Sequence, residues 1–188
     1  MGRMLWRGGL IVVAALLLAG AARGAHRDSH AASEIRSALS AAPAAVAAHA
    51  AVAAFGKDGK LTELRRGTNG WTCLTPDAGD PQPRPACFDA NGLAFVEAYA
   101  AGRAPDPDKP GFSYMLQGGS AWSNTDPWAT RLPAGERDFI HIPPHIMILD
   151  ARAANASGLP SGEAHPDTRR PFVLFGGTRY AMVIIPVR

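Results

Sequence analysis

The most restrictive feature of this sequence is its division, from Ala50 onward, into short apolar runs separated by turn residues. Residues 56–59 and 68–70 are rich in Gly, Asp and Asn, which tolerate the positive φ of tight turns. Between them, residues 61–66 alternate apolar and polar side chains, as a half-buried strand does. The pattern predicts a hairpin around the first turn and a third strand, residues 71–74, after the second.

Two segments carry the signals of helices. Residues 31–42 are rich in alanine, with apolar side chains four residues apart, and they end before Pro43, which can open a further helical turn. Residues 93–99 place apolar side chains on one face and follow Asp89 and Asn91, both of which are residue types that cap helix N-termini. We therefore predict one helix near the start of the domain and one near its middle.

The second half of the chain contains further strand candidates. Residues 112–116 have strand composition, and the apolar run 139–149 is interrupted by two prolines, which predicts two extended pieces with a kink between them. Residues 171–187 form two apolar runs around a Gly-rich turn, which predicts a C-terminal hairpin in the centre of the sheet. The predicted fold is α+β, an antiparallel sheet of about six or seven strands with one or two helices packed on one face.

The two cysteines, Cys73 and Cys87, flank a segment rich in Pro, Asp and Gly. Such a segment has little regular structure of its own and gains most from a crosslink at its ends. In an exported protein, a single pair of thiols normally forms a disulfide. A redox or metal-binding pair would favour a Cys-x-x-Cys spacing, so we predict a structural Cys73–Cys87 disulfide.

The N-terminus has the pattern of a cleaved export signal. Arg3 and Arg7 precede the apolar run of residues 10–18, and residues 19–21 are small, as cleavage by a signal peptidase requires. The apolar run is less than half the roughly 20 residues that span a bilayer, and no cysteine at the cleavage site could take a lipid. We predict a signal peptide at residues 1–21 and a periplasmic or secreted product with no membrane anchor.

Residues 22–188 have the size of one globular domain, which is the predicted organisation. The precursor has a formal charge of +3, and removal of Arg3 and Arg7 lowers it to about +1. Proteins that bind nucleic acids show a basic stripe with interleaved aromatic residues, and this chain has none. The predicted partner is an unknown small molecule or protein, and not a nucleic acid.

The sequence has no strong signature of nucleophilic catalysis. No Gly-x-Ser-x-Gly run is present, which argues against an α/β hydrolase. Ser120 follows two glycines, but this combination is common in loops, so we interpret Ser120 as a turn residue. The cysteines are predicted to bond to one another rather than to act as nucleophiles.

A metal site is the sharpest chemical alternative. His141 and His145 are four residues apart, and Asp126 or Asp150 could add a carboxylate. The usual His-x-x-x-His pair depends on one helical turn, however, and the two prolines between these histidines disfavour a helix. A buried His145 bonded to a backbone carbonyl is the competing interpretation, and we predict neither a metal nor a cofactor.

The segment from Trp122 to Trp128 is the candidate binding site. Its four central polar residues are types that bond their own backbone in loops, which is the simpler interpretation. A polar group between aromatic walls is also how small-molecule pockets are lined. If this loop meets the strand end at His145, then Asn124, Asp126 and His145 line one polar pocket between the two tryptophans.

Five short blocks follow one another between about residue 66 and residue 187. They are GTNGWTC, YMLQGGS, SNTDP, PHIM and FGGT. In this order they resemble a family of small exported bacterial proteins of unknown function. The resemblance implies no activity. It implies that Asn124, Asp126 and His145 belong to the family pattern and that His141 does not, which argues against a functional pairing of the two histidines.

These observations predict a small exported soluble protein whose domain is a binding or structural module rather than an enzyme. The alternative is a metal-dependent hydrolase that uses His145, with Asp126 as ligand or base. Metal analysis of the purified protein separates the two, since the binding function needs no metal.

Overall fold

The structure, a computed structural model, describes residues 29–77 and 79–187. The predicted signal peptide, residues 1–21, lies outside the described residues. Within the described ranges, none of the helices combines the length and the apolar character needed to cross a membrane. The chain divides into two compact units, Met1–Glu34 and Ile35–Arg188.

The first unit is described only at residues 29–34, which are helical. There, His30 and Glu34 lie 3.5 Å apart as an exposed ion pair. All strands and the remaining helices described below belong to the second unit.

The described residues form four helices and ten strands. The helices are α1 (29–39), α2 (Ala44–Ala47), α3 (Ala90–Ala100) and α4 (Ala151–Ala156). The first five strands are β1 (Ala51–Phe55), β2 (Leu61–Arg65), β3 (Thr72–Leu74), β4 (Ala86–Phe88) and β5 (Gly111–Met115). The others are β6 (Gly119–Ala121), β7 (Ile140–Ile142), β8 (His145–Leu149), β9 (Phe172–Leu174) and β10 (Met182–Pro186).

Eight strands form the main sheet in the order β2-β1-β3-β4-β5-β8-β10-β9, and β6 pairs with β7 in a small second sheet. The predicted α+β class is confirmed. The main sheet is mixed rather than wholly antiparallel, because β1 and β3 run parallel. It also has more strands than the six or seven expected, and one of them, β4, was not predicted.

The parallel pair arises where the chain crosses the start of β1. The sequence predicts that residues 71–74 extend a meander, which would place β3 beside β2, but β3 lies on the other side of β1. Gly67 permits this crossing, since a Cβ there would lie 2.0 Å from the backbone nitrogen of Ala51. Thr68 then donates its N–H to the His49 carbonyl at 2.8 Å, which fixes the crossing segment.

One face of the main sheet, which we call the α1 face, is covered by small side chains. Val52, Cys73 and Cys87 project from β1, β3 and β4. They pack against residues 35–39 of α1, which include Ala38. Farther along the same face, α4 packs Ala154 against β9 and β10. The Cys73–Cys87 disulfide lies here, between directly opposed residues of β3 and β4, and confirms the predicted pairing.

The opposite face, which we call the α3 face, carries larger side chains. Leu74, Phe88 and Met147 project from β3, β4 and β8, and α3 contributes Phe95 to the same cluster. The small sheet also packs here through Ala121 and two isoleucines of β7. Helices therefore lie on both faces rather than on one. Because successive residues of a strand point to opposite faces, strands that are apolar at successive positions place apolar side chains on both faces of the sheet. Both faces must therefore be covered by other elements.

The two prolines after β7 separate two extended segments, as predicted. They also lie where the chain passes from the small sheet to the main sheet. β7 pairs with β6, whereas β8 lies between β5 and β10 in the main sheet. The C-terminal hairpin of β9 and β10 is present, but it lies at the edge of the sheet rather than in its centre. A parallel bridge from Ser161 to Val173 continues beyond β9, so the edge is partly covered.

Candidate functional site

A cavity of about 510 Å³ lies against the α3 face of the main sheet. Its floor consists of apolar side chains that alternate along the strands. They are Leu74, Phe88, Met147, Leu149, Leu174 and Met182. The period of two along each strand sends these residues to one side and the disulfide to the other.

Three elements form the walls of the cavity. Helix α3 contributes Phe95, Val96 and Tyr99, because residues three and four apart share one helix face. Of the two predicted N-cap candidates, Asp89 caps the helix, since its side chain accepts the N–H of Gly92 at 2.7 Å, whereas Asn91 lies within the helix. The other two walls are the segment of residues 120–130 and the loop between the cysteines.

The loop between the cysteines is held against the 120–130 segment by side-chain hydrogen bonds. The Ser120 hydroxyl accepts the Gln82 N–H and donates to the Gln82 carbonyl, both at 2.9 Å. The Trp122 indole donates to the Gly79 carbonyl at 2.9 Å. Ser120 therefore has a structural role here, but it lies in strand β6, paired with His141 of β7, so its interpretation as a turn residue is wrong.

Aromatic rings pack around Tyr99. The Trp128 ring stacks on Tyr99 with centroids 5.0 Å apart, and Tyr180 meets Tyr99 edge-on at 5.1 Å. The Tyr99 hydroxyl donates to the Pro127 carbonyl. Trp128 remains about half exposed, so an aromatic surface is available at this end of the cavity.

Three carboxylates share this end of the cavity with Tyr99. Asp77, Asp80 and Asp126 all line it. Burial and the negative charges of these carboxylates raise the pKa of Tyr99 to about 12. Burial, with the Asp77 charge beside it, raises the pKa of Asp80 to about 7.

The structure brings together three of the five predicted site residues. Trp122, Asp126 and Trp128 line the cavity. The carboxylate of Asp126 accepts the N–H of Trp128 at 2.9 Å, and the Ser123 hydroxyl accepts the N–H of Asp126 at 3.0 Å. The loop thus bonds its own backbone and also presents a carboxylate to the cavity, so the two interpretations of this segment are compatible.

Asn124 and His145 are not among the residues that line the cavity. Asn124 is 1% exposed and donates from its amide to the Glu163 carbonyl at 2.7 Å. His145 is also 1% exposed, and its Nδ1–H donates to the Pro143 carbonyl at 2.7 Å. Burial lowers the pKa of His145 to about 4. Both side chains are placed as buried structural groups rather than as cavity groups.

The residues considered for a metal site are dispersed. His141 is exposed and bonds to the Asp138 carboxylate at 3.2 Å, whereas His145 is buried on a different strand. Asp150 caps α4 by accepting the N–H groups of Arg152 and Ala153. Across residues 29–77 and 79–187, no group of three or more His, Cys, Asp or Glu side chains could hold a metal ion.

Sequence reasoning missed Asp77, Asp80 and Tyr99 as site residues. The acidic character of the loop between the cysteines is visible in the sequence, and Tyr99 falls on the apolar face of the predicted helix. No sequence signal indicates that they meet, because they belong to separate elements that are joined only by tertiary packing.

A second, polar hollow of about 400 Å³ is lined in part by the turns between β5 and β6 and between β7 and β8. It is lined by Gln82, His141 and Arg169 among others, and Arg84 lines both this hollow and the apolar cavity. Arg169 is held by Asp167, whose carboxylate accepts from its Nε at 2.8 Å. The polar hollow thus has little unpaired charge apart from Arg84.

No protein-family model, curated protein or solved structure matches this chain. The resemblance carried by the five short blocks therefore stays a prediction. The cavity and its lining are the observations that bear on function.

Proposed function

We propose that this protein is an exported binding protein that takes a small, largely apolar molecule into the cavity on the α3 face. The observation that carries the proposal is the cavity itself, at about 510 Å³. Small-molecule sites typically measure about 300–1,000 Å³ and combine an apolar lining with a few polar groups. The lining here has that composition, with its charged groups confined to the loops.

A gap of this size is not ordinary imperfect packing. Protein interiors are close-packed, and voids larger than a water molecule are few. The floor residues belong to the largest cluster of buried apolar side chains in the described chain, and each of them is at most 7% exposed. A bound apolar molecule would add contacts to this apolar lining.

The groups in the cavity favour binding over hydrolysis. None of the described residues that line it is a histidine or a cysteine. The Ser120 hydroxyl is bonded to Gln82, and that of Ser123 accepts the N–H groups of Thr125 and Asp126. Neither serine has the adjacent base that nucleophilic catalysis requires. The metal-dependent alternative has no supporting observation, because His145 and Asp126 do not share the cavity.

Export is part of the proposal and has one structural support. The Cys73–Cys87 disulfide is characteristic of oxidising compartments such as the periplasm or the extracellular medium. The N-terminal pattern of residues 1–21 points in the same direction.

The test is a titration of the full chain with the neutral apolar dye N-phenyl-1-naphthylamine. We expect a saturable rise in dye fluorescence and a higher unfolding temperature, because a ligand that binds only the folded state stabilises it. Ala100→Trp places a large ring at the cavity wall, and Ala101→Trp is its matched control at a neighbouring position outside the lining.

The first variant should lose most of the dye signal and the second should keep it. A linear, non-saturable signal from the parent protein, or equal signals from the two folded variants, would overturn the proposed function.

A further inference from the structure

We propose that the natural ligand carries a cationic group, an ammonium or guanidinium, which the carboxylates of Asp77, Asp80 and Asp126 bind at the Tyr99 end of the cavity. The ligand is then a cationic amphiphile whose apolar body lies on the sheet. This inference rests on the proposed function and names the chemical class of the molecule bound.

The carboxylates come from two different loops and meet at one place. Asp77 and Asp80 belong to the loop between the cysteines, and Asp126 belongs to the 120–130 segment. The hydrogen bond from Trp122 to Gly79 joins these loops at 2.9 Å. All three residues line the cavity together with Tyr99. The Asp126 carboxylate accepts the N–H of Trp128, and the Trp128 ring stacks on Tyr99.

The protein itself leaves most of this negative charge without a positive partner. Asp77 and Asp126 each accept one backbone N–H at 2.9 Å, from Gly79 and Trp128. Among the described residues, neither the Asp77 carboxylate nor the Asp126 carboxylate forms an ion pair. The Asp80 carboxylate forms neither an ion pair nor a hydrogen bond there. Asp80 is partly buried, whereas Asp77 and Asp126 are exposed at the edge of the cavity. Placing further negative charges beside a partly buried carboxylate is unfavourable unless a positive charge joins them.

Arg84 is the one cation among the described residues that line the cavity. Three carboxylates and one guanidinium leave an excess of negative charge in the lining. Arg84 also lines the polar hollow next to the cavity. A ligand cation is therefore complementary to the apolar cavity even with Arg84 present.

The aromatic groups at the same end fit a cation as well. An ammonium or guanidinium is attracted to the face of a tryptophan ring, and the Trp128 ring, which stacks on Tyr99, remains about half exposed. Tyr180 is 2% exposed, and its hydroxyl has no hydrogen-bond partner in the described chain. Tyr180 is not itself a lining residue, but its ring packs edge-on against Tyr99 with centroids 5.1 Å apart, so a buried hydroxyl without a partner lies behind this end of the cavity.

The experiment compares three probes with the same octyl chain and different head groups: octylammonium, octanol and octanoate. Each displaces N-phenyl-1-naphthylamine from the full chain at about pH 8, where Asp80 is mostly ionised. We expect octylammonium to displace the dye at a concentration about tenfold lower than octanoate, with octanol between them.

Two variants identify the carboxylates. Asp80→Asn and Asp126→Asn should each reduce the preference for octylammonium about threefold or more, while dye binding itself persists. Glu97→Gln is the matched control, because it removes one carboxylate from an exposed position of α3 outside the lining. This control should keep the full preference.

The outcomes separate the two proposals. If the dye binds normally but the three probes displace it equally, or octanoate is preferred, the inference about the cation is overturned and the apolar binding function stands. If no dye binds to the folded parent protein, the binding function itself fails. A preference for octylammonium that survives both aspartate variants also overturns the assignment to these carboxylates.

Discussion

The two faces of the main sheet are built from neighbouring residues of the same strands, yet one is filled and the other is not. On the α1 face, Val52, Cys73 and Ala38 are completely buried. On the α3 face, Leu74 and Ala121 are 6% and 8% exposed, and they line a cavity of about 510 Å³. Hydrophobicity does not distinguish the faces. The difference lies in the elements that cover each face. Residues of α1 and α4 pack over small side chains on one side, whereas a helix, a small sheet and two loops cover the other.

The disulfide is buried on the α1 face, and the loop that it closes borders the α3 face. Its removal has the largest effect on stability that we predict. In the double variant Cys73→Ala, Cys87→Ala, the free energy of unfolding should fall by about 3 kcal/mol, since the unfolded loop is no longer constrained. Urea denaturation measures this change.

The same variant should bind N-phenyl-1-naphthylamine more weakly, because the carboxylate-bearing loop is less well fixed. Parent protein treated with a reductant is the control and should behave like the double variant. A loss of stability below about 1 kcal/mol would show that the crosslink is not what holds the two faces together.

A matched pair of substitutions tests whether one face is full and the other has space. Ala38→Leu inserts a larger side chain into the α1 face and should lower the free energy of unfolding by about 1–3 kcal/mol, as overpacking does. Ala121→Leu projects into the cavity and should change stability by less than about 0.5 kcal/mol while it weakens dye binding. Equal destabilisation by both would contradict the difference between the faces.

The smallest predicted effect is a pH dependence that belongs to the α3 face. The pKa of Asp80 is about 7 in the folded protein and close to 4 in an unfolded chain. The folded state therefore holds the proton more tightly between these values, and stability falls as the pH rises from about 4 to about 7. Asp80→Asn removes this loss, so at about pH 8 it should be more stable than the parent by about 1 kcal/mol, after allowance for solvent screening.

At about pH 3 and below the two proteins should have nearly the same stability, because Asp80 is then mostly protonated in both states. His145 acts in the opposite direction. Its pKa is lowered to about 4 by burial, so stability falls as the pH drops below about 6.5. This contribution is present in both proteins and cancels in their difference. A constant difference across the pH range would mean that Asp80 is not the titrating group.

Several features could be predicted because their causes are local. The N-cap at Asp89, the separation of β7 from β8 by two prolines and the pairing of two lone cysteines each depend on residues close in sequence or on a single possible connectivity. The short helix α4 was not predicted, because six residues are too few to show a helical period. Strand β4 was not predicted either, because its three residues are too few to show an alternating pattern.

The candidate site shows where local reasoning ends. Trp122, Asp126 and Trp128 were identified from one polar loop between two aromatic residues, and they share the cavity. His145 and Asn124 have equally polar side chains, but packing places them at 1% exposure with backbone carbonyls as partners. A polar residue type does not determine whether its side chain faces a cavity or the interior.

The sequence by itself determined the α+β class, the strand-rich organisation and the disulfide, because backbone preference, turn chemistry and hydrophobic period act over a few residues. The tertiary structure alone decided that β3 pairs with β1 and that the cover of the α3 face leaves a cavity. It also decided that Asp77, Tyr99 and Asp126, each more than 20 residues from the next, surround one end of that cavity. Convergence of this kind depends on how separate elements pack, and that information is absent from any local stretch of the chain.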